Sequence, residues 1–147
     1  MADIINNIGA GQTYTTVASW WAAKPDNGDK WIGNYVDTDT IIIGELTGEN
    51  NGGAELRADN SVAYNFESPS DPHPIIDSET SIFYIRSTEK FIVKGFEIDA
   101  GTSSSSCVRA GTFDDCDLEL VNCRLKGGKK AVHSSRALAK IHLENCV

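Results

Sequence analysis

The chain has 147 residues, 40% of them apolar, which is sufficient for one domain with a hydrophobic core. A formal net charge of −8 disfavours nucleic-acid binding, because a nucleic-acid site needs a basic surface. The sequence has no apolar run of about 18 residues or more, so no membrane span is predicted. The opening Met-Ala-Asp-Ile lacks the basic start and apolar core of a secretion signal, and we expect folding in a reducing cytoplasm.

Residues 1–38 are predicted to form an N-terminal arm followed by a capping helix. The segment 2–8 is rich in isoleucine and forms either a short strand or an arm that reaches a neighbouring molecule. Because the open end of a coiled core must be covered, we predict that apolar side chains of this region attach the protein to a partner or to another subunit. The predicted contact residues are Ile4, Ile5, Ile8, Trp20 and Trp21.

A short amphipathic helix is predicted over residues 17–23. Thr15 or Thr16 can cap it, because a threonine hydroxyl accepts a hydrogen bond from a backbone N–H of the first turn. The helix stops at Lys24, since the residue before Pro25 avoids helical angles. We expect the helix to act as a lid on the core. An alternative is that its tryptophans form an exposed platform for a sugar.

Residues 39–147 are predicted to form successive coils of short strands. Thr-Ile-Ile-Ile at 40–43 is strongly β-forming, and residues 54–58 are a second candidate strand. Three prolines fall within Ser-Pro-Ser-Asp-Pro-His-Pro, so residues 64–74 are predicted to be an extended, exposed loop. Strand character resumes after this loop.

Three segments near the C-terminus share one template: apolar, any, apolar, any, Gly or Asn, apolar. The segments begin at Phe91, Leu118 and Ile141. Their Gly or Asn positions are 27 residues apart from 95 to 122 and 23 residues apart from 122 to 145. A repeat of roughly 20–30 residues with one short strand each is typical of a solenoid.

The template has a physical interpretation. Residues two apart on a strand face the same side, so the two apolar positions of each copy should point inward. Gly or Asn then adopts a left-handed backbone, which bends the chain and turns the next apolar residue inward. Three strands of a sandwich are the alternative, but a sandwich does not explain the repeated bend. The predicted core stack is Val93, Phe96, Leu120, Cys123, Leu143 and Cys146.

The four cysteines, Cys107, Cys116, Cys123 and Cys146, lack the paired short spacing of a zinc site. We expect them to be small buried apolar side chains. A disulfide or redox role stays open for Cys123 and Cys146, which occupy the same template position. The sequence ends inside the third template copy, so we expect further coils in a longer polypeptide or a partner chain over the last coil.

The chain resembles a known group of proteins. Gly-Gln-Thr-Tyr-Thr-Thr-Val at 11–17, Gly-Asn-Tyr at 33–35, Thr-Ile-Ile-Ile at 40–43 and Val-x-Gly-Phe-x-Ile at 93–98 are similar to right-handed parallel β-helix proteins of the pectate-lyase type. Within that group the opening is most similar to proteins of bacteriophage particles: tailspikes, tail fibres and head-surface decorations. The resemblance implies an all-β, right-handed parallel β-helix in a virion assembled in the host cytoplasm. It also implies contacts with other virion proteins and a homo-oligomer, with a trimer as one option.

The best candidates for catalysis are Asp114, Asp115 and Asp117, because paired carboxylates can act as general acid and base. Enzymes of the resembled fold use carboxylates on an outer groove, sometimes with calcium, arginine or histidine. The Asp-Asp pair of polygalacturonase-like members is accompanied by Gly-His-Gly, which this chain lacks, and Arg-Leu-Lys at 124–126 is a loose echo of their Arg-Ile-Lys. We therefore expect a solvated turn, with no metal and no cofactor. The three histidines are scattered along the sequence, and no motif brings them together.

The sequence thus predicts a non-enzymatic structural protein of a bacteriophage surface, whose N-terminal part attaches a rigid β-helix to the capsid or tail. Two alternatives remain. One is a polysaccharide lyase or hydrolase that acts on a host surface glycan with the acidic cluster and Arg124. The other is a carbohydrate-binding module that exposes Trp20, Trp21 and Trp31.

Overall fold

The computed structural model describes residues 2–25, 27–47, 52–86, 89–102, 104, 106–111, 116–134 and 140–147. Asp114 and Asp115 lie outside the described residues. In chain order the elements are β1 (Asp3–Ile8), α1 (Val17–Ala22), β2 (Lys30–Tyr35), β3 (Thr40–Ile41), β4 (Glu45–Thr47), β5 (Ala54–Ala58), β6 (Ile75–Asp77), β7 (Phe83–Arg86), β8 (Lys90–Lys94), β9 (Glu97–Asp99), β10 (Ser106–Ala110), β11 (Asp117–Val121), β12 (Arg124–Lys126), β13 (Lys130–Ser134) and β14 (Lys140–Glu144).

The described strands form three sheets, and the strand pairs within each are parallel. Sheet A has the order β1-β2-β5-β8-β11-β14, sheet B has β12-β9-β6-β3, and sheet C has β13-β10-β7-β4. From β2 onward the chain visits A, B and C in turn, so each circuit adds one strand to each sheet. The fold is therefore a parallel β-solenoid of about five turns, and the sandwich alternative is wrong.

The stack of strands begins earlier than residue 39. Strand β1 pairs in parallel with β2 along its whole length, from Asp3 opposite Lys30 to Ile8 opposite Tyr35. Residues 2–8 therefore take the strand option of the two that the sequence left open. The helix α1 lies between β1 and β2 in the chain, where later coils have the strands of sheets B and C.

The predicted bends are present. Gly95, Asn122 and Asn145 have φ angles of 80°, 51° and 50°, in the left-handed region that glycine and asparagine tolerate best. Gly95 and Asn122 each open a two-residue link from sheet A to sheet B. The apolar residues after them, Phe96 and Cys123, are fully buried.

The inner face of sheet A carries columns of apolar side chains at matching register. Val93 pairs with Leu120 and Leu120 with Leu143, which aligns one predicted column across three coils. Val93 and Leu120 are fully buried, whereas Leu143 is 47% exposed because β14 lies at the edge of the sheet. Cys146, at the same edge, is half-buried.

The helix α1 fills the first coil with aromatic side chains. Thr16 is its N-cap, and a capping box with Ser19 satisfies backbone donors at its start, close to the predicted boundary. Trp20 packs against Gly33. A Cβ atom at position 33 would lie 2.7 Å from Trp20 Cε2, so the missing side chain of the glycine makes room for the indole. Within the described ranges this helix has six residues, far fewer than the roughly 20 that a bilayer-crossing helix needs.

Candidate functional site

A groove of about 480 Å³ lies on the outside of the solenoid, between residues 59–74 and the bends at the end of sheet A. We call residues 59–74 the long loop and this cavity the loop groove. The long loop supplies one wall, which includes Asn60, Tyr64 and Phe66. The ends of the two following coils supply the floor with Lys94 and Asn122.

The long loop is compact because its backbone is hydrogen-bonded at several points. It begins with a turn in which the N–H groups of Val62 and Ala63 donate to the carbonyl of Asp59, at 2.9 and 2.8 Å. In its middle the N–H of Tyr64 donates to the carbonyl of Gly95 at 2.8 Å, which joins the loop to the next coil. The exposed loop that the prolines predicted is therefore a fixed wall with defined contacts.

The carboxylate of Asp59 organises the first turn of the loop. It accepts a hydrogen bond from Asn34 Nδ2 at 2.9 Å and further bonds from the Ser61 hydroxyl and N–H. The Asn34 amide is the largest cause of a lowered pKa for Asp59, followed by the Ser61 hydroxyl, because these donors favour the charged form. Asp59 therefore acts as a negatively charged acceptor that ties the loop to strand β2.

The ring of Tyr64 is the centre of an aromatic cluster under the loop. It contacts Phe66 edge-on at 4.9 Å and His73 edge-on at 5.0 Å between ring centroids, and the Arg124 guanidinium lies 6.0 Å from it. Tyr64 is 9% exposed, whereas Phe66 is 38% exposed. Tyr64 thus holds the Phe66 ring in a fixed orientation on the wall of the loop groove.

The end of the long loop is anchored by a charged cluster that the sequence did not reveal. His73 Nε2 lies 2.9 Å from Glu97 Oε2, and Arg124 Nη1 lies 3.3 Å from the same oxygen. Only 5% of the Glu97 side chain is exposed. His73 Nδ1 lies 2.7 Å from the carbonyl of Asp71, and because a carbonyl only accepts, Nδ1 carries a proton.

Three of the polar side chains that line the loop groove have no hydrogen-bond partner among the described residues. Among the described residues, the side chains of Asn60, Lys94 and Asn122 make no hydrogen bond or ion pair. A second cavity of about 160 Å³ adjoins the groove, shares Asn60 and Lys94 with it, and extends it to Asn34 and Arg57. Amide and ammonium donors beside an exposed aromatic ring can orient a polar organic ligand.

Of the predicted catalytic carboxylates, Asp117 is the one that lies in the described residues. Asp117 is the first residue of β11, and Arg124 lies beyond the other end of that strand. Five residues of strand span roughly 16 Å, so these two side chains do not meet. Arg124 instead pairs with Glu97, so the predicted grouping of Asp117 with Arg124 is wrong. His133 is half-buried on β13 and His142 is exposed on β14, both away from the loop groove.

The alternative in which the tryptophans form an exposed platform is wrong. Trp20, Trp21 and Trp31 are 0%, 5% and 5% exposed. Trp20 stacks on Trp31 with centroids 6.2 Å apart, and Trp21 packs on Phe91 at 5.3 Å. Trp31 donates its indole N–H to the carbonyl of Trp20, and Trp21 donates to the carbonyl of Thr47. These side chains are core residues and provide neither a sugar platform nor an outward contact surface.

The isoleucines predicted for attachment differ in their surroundings. Ile8 is fully buried, and Ile4 is partly buried and packs against the core. Ile5 is 55% exposed on the outer side of β1. Of the five predicted contact residues, Ile5 is thus the one with its side chain largely in solvent.

Cys123 and Cys146 follow the stacked bends of neighbouring coils. A hydrogen bond between the two thiols lowers the pKa of Cys146 to about 6, and the same bond and burial raise the pKa of Cys123. Cys107 and Cys116 are buried, as expected for small apolar side chains. The four cysteines, all within the described ranges, form no disulfide.

A group of metal-ligand type occurs in the described part of the chain at Glu119, His142 and Glu144. One ligand atom from each lies within 4.8 Å of the others. Glu119 Oε2, however, lies 2.8 Å from Lys90 Nζ. This ion pair lowers the pKa of Glu119, and the ammonium group competes with any cation for the carboxylate.

The chain matches no protein-family model, and comparison with curated proteins and with solved structures finds no match. The class of the protein is given by its own fold: it is an all-β parallel solenoid with an outer groove, and the long loop forms one wall of that groove.

Proposed function

We propose that the protein is a non-enzymatic structural component of a bacteriophage virion surface, either a capsid decoration or head fibre or part of a tail fibre or tailspike. In this role the N-terminal part attaches a rigid, right-handed β-helix to the particle. The helix α1 caps the first coil, and Ile5 belongs to the attachment surface. The protein assembles as a homo-oligomer, with a trimer as the first option to test.

The observation that carries this proposal is the continuous register of sheet A. Six strands, from β1 to β14, pair in parallel without a break. Their inner columns are filled by large apolar side chains, among them Phe91, Leu118 and Leu120, which are fully buried. Such stacking produces a stiff rod, which suits a projecting structural element. The resemblance of the N-terminal motifs to phage β-helix proteins supports the same role.

The test is a cryo-electron reconstruction of the particle that carries this chain. We expect solenoid density at symmetric positions on the capsid or at the tail, with the end that holds β1 nearest the particle. Particles prepared with Ile5→Asp should carry less of the protein than particles prepared with Ile42→Asp, since Ile42 is also exposed (58%) but lies outside the N-terminal strand. Density in the opposite orientation, or equal loading of both variants, would contradict the attachment role.

The alternative of a glycan lyase or hydrolase has less support. Two of its three carboxylates, Asp114 and Asp115, lie outside the described residues, and the third, Asp117, stands apart from Arg124. If the wild-type chain degraded a host polysaccharide and the Asp115→Asn variant did not, this alternative would replace the structural role.

A further inference from the structure

Two carboxylates and one imidazole converge on the outer face of sheet A. Glu119 lies on β11, and His142 and Glu144 lie on the neighbouring strand β14. One ligand atom from each residue lies within 4.8 Å of the others. Imidazole nitrogen and carboxylate oxygen are zinc ligands in proteins, so these three residues, which we call the Glu-His-Glu group, have the composition of a metal site.

The strand pairing fixes where these side chains start. Glu119 and His142 are register partners on two parallel strands, so their backbones lie about 4.8 Å apart. Glu144 lies two residues beyond His142 and therefore faces the same side of β14. The carbonyl of Glu144 accepts a hydrogen bond from the N–H of Asn122 at 2.9 Å, which ties this end of β14 to the preceding coil. The three ligands therefore project from a fixed frame.

The distances between the ligand atoms suit a small ion. Zinc binds nitrogen and oxygen ligands at about 2.0–2.2 Å, so two ligands of a tetrahedral site lie roughly 3.4 Å apart. His142 Nε2 lies 3.9 Å from Glu144 Oε2, and the two side chains are 66% and 59% exposed. Both side chains can therefore rotate by the small distance that remains, and a water molecule would take the fourth position.

Lys90 competes with a metal ion for this group. Its ammonium group lies 2.8 Å from Glu119 Oε2, and its side chain is 53% exposed. An ion pair at such a position contributes little to stability, because water solvates the ammonium group. A carboxylate has two oxygens, so Glu119 can contact Lys90 with one and a metal ion with the other. The positive charge of Lys90 should still weaken the binding of a divalent cation.

The ligand set favours zinc over calcium and magnesium. Ca²⁺ takes about six to eight oxygen ligands and Mg²⁺ needs about six in octahedral geometry, whereas the Glu-His-Glu group offers two carboxylates and one imidazole. Imidazole suits ions of the zinc type. Two carboxylates also balance the charge of Zn²⁺, and the net charge of −8 on the whole chain attracts cations.

We propose that Glu119, His142 and Glu144 bind one Zn²⁺ ion on the outer face of sheet A. The ion joins β14 to β11 through side chains, in addition to the pairing of their backbones. It therefore stabilises the coil to which β14 belongs, and this stabilisation grows with the zinc concentration. The proposal goes beyond the particle role and stands independently of it.

The test is a zinc titration of the full, reduced, metal-free chain in competition with a chromophoric chelator. We expect one Zn²⁺ to bind, and Ca²⁺ and Mg²⁺ at the same concentration to leave it in place. His142→Ala should weaken binding at least about tenfold, whereas Lys90→Met should tighten it several-fold. His133→Ala is the matched control and should bind like the wild type, because His133 lies on β13, outside the group.

Cobalt distinguishes the Glu-His-Glu group from the four cysteines. Co²⁺ on a thiolate gives an intense charge-transfer absorption in the near ultraviolet, whereas Co²⁺ on imidazole and carboxylate gives weak bands in the visible. We expect the weak bands alone, and their loss in His142→Ala. Thermal unfolding shows that each variant is folded, and Zn²⁺ should raise the melting temperature of the wild type more than that of His142→Ala.

The proposal is overturned if the wild-type chain binds Zn²⁺ more weakly than about 0.1 mM, if His142→Ala and His133→Ala bind it equally well, or if the cobalt spectrum shows thiolate ligands. None of these outcomes depends on whether the protein is found on a virion.

Discussion

The same corner of the solenoid is built in two ways. After β8 and β11 the chain passes from sheet A to sheet B in two residues, whereas after β5 it uses the 16 residues of the long loop. The step from Ala54 to Phe91 is accordingly 37 residues, against 23 from Leu118 to Ile141. The difference of 14 residues is the difference in length between the loop and a bend. The stack therefore tolerates an insertion at its corner while the strands on either side keep their register.

The two corners differ in what holds them. The short bends depend on a left-handed backbone and on a buried residue directly after it, such as Phe96. The long loop depends on polar contacts over a distance in sequence, such as His73 with Glu97. The short bends bury an apolar side chain in the core, whereas the long loop exposes polar groups to solvent. The comparison predicts that the two corners respond differently to substitution.

The largest effect is expected in the core of the short bend. Phe96→Ala removes a fully buried ring that also contacts Tyr35 at 6.1 Å between centroids, and we expect the free energy of unfolding to fall by about 3–5 kcal/mol. Urea denaturation measures this change. Phe66→Ala on the long loop is the matched control, and its effect should be about 1 kcal/mol, because the ring is 38% exposed and packs on Tyr64. Equal losses would show that the loop belongs to the core.

A smaller loss is expected where the bend touches the loop. Gly95→Ala places an alanine at a backbone φ of 80°, which strains the backbone. The new Cβ atom also lies 3.1 Å from the Cβ of Ala63 on the long loop. We expect a loss of about 2–3 kcal/mol from backbone strain and crowding together. Asn122→Gly at the next bend needs no strained side chain, so denaturation should show almost no change. The comparison fails if the two substitutions have the same effect.

The loop anchor should contribute less again. His73→Ala removes the hydrogen bond to Glu97 and leaves Arg124 as its partner, so we expect a loss of about 1.5 kcal/mol. The long loop should also become more sensitive to limited proteolysis, at sites that mass spectrometry can locate. His142→Ala is the control, because its contact with Glu144 is 3.9 Å long and exposed. Unchanged cleavage of the loop would argue against the anchor.

The smallest effect is a pH dependence at the start of the loop. The folded pKa of Asp59 lies below its usual value of 3.8, so the carboxylate stabilises the folded state above that pH. This stabilisation is lost as the pH falls through the folded pKa. Asp59→Asn should therefore lower the melting temperature by a few degrees at pH 7, with the difference vanishing in strong acid. Melting curves across the acid range test this, and a constant difference would contradict it.

The parts of the fold that the sequence predicts are those set by local conformation. Gly95, Asn122 and Asn145 mark the bends because few other residues accept a left-handed φ. Thr16 marks the start of α1 because its hydroxyl and Ser19 form a capping box. The inner columns of β8 and β11 follow from alternation alone.

The rest depends on contacts between distant residues. Two adjacent tryptophans on a short helix do not show which side meets the core, and their burial follows from the space left at Gly33. The strands of sheet B have two or three residues, too few for a periodic pattern. The loop groove could not be predicted, because the Tyr64–Gly95 and His73–Glu97 contacts join segments that are far apart in sequence.

The most direct test of the difference between the two corners is backbone hydrogen exchange of the wild-type chain and of the His73→Ala variant. We predict that the N–H groups of Gly95 and Asn122, which donate to the carbonyls of Val121 and Glu144, stay protected in both chains, whereas the N–H of Tyr64 loses protection in the variant. Equal loss of protection at the short bends and at the long loop, or no loss at Tyr64, would contradict the account.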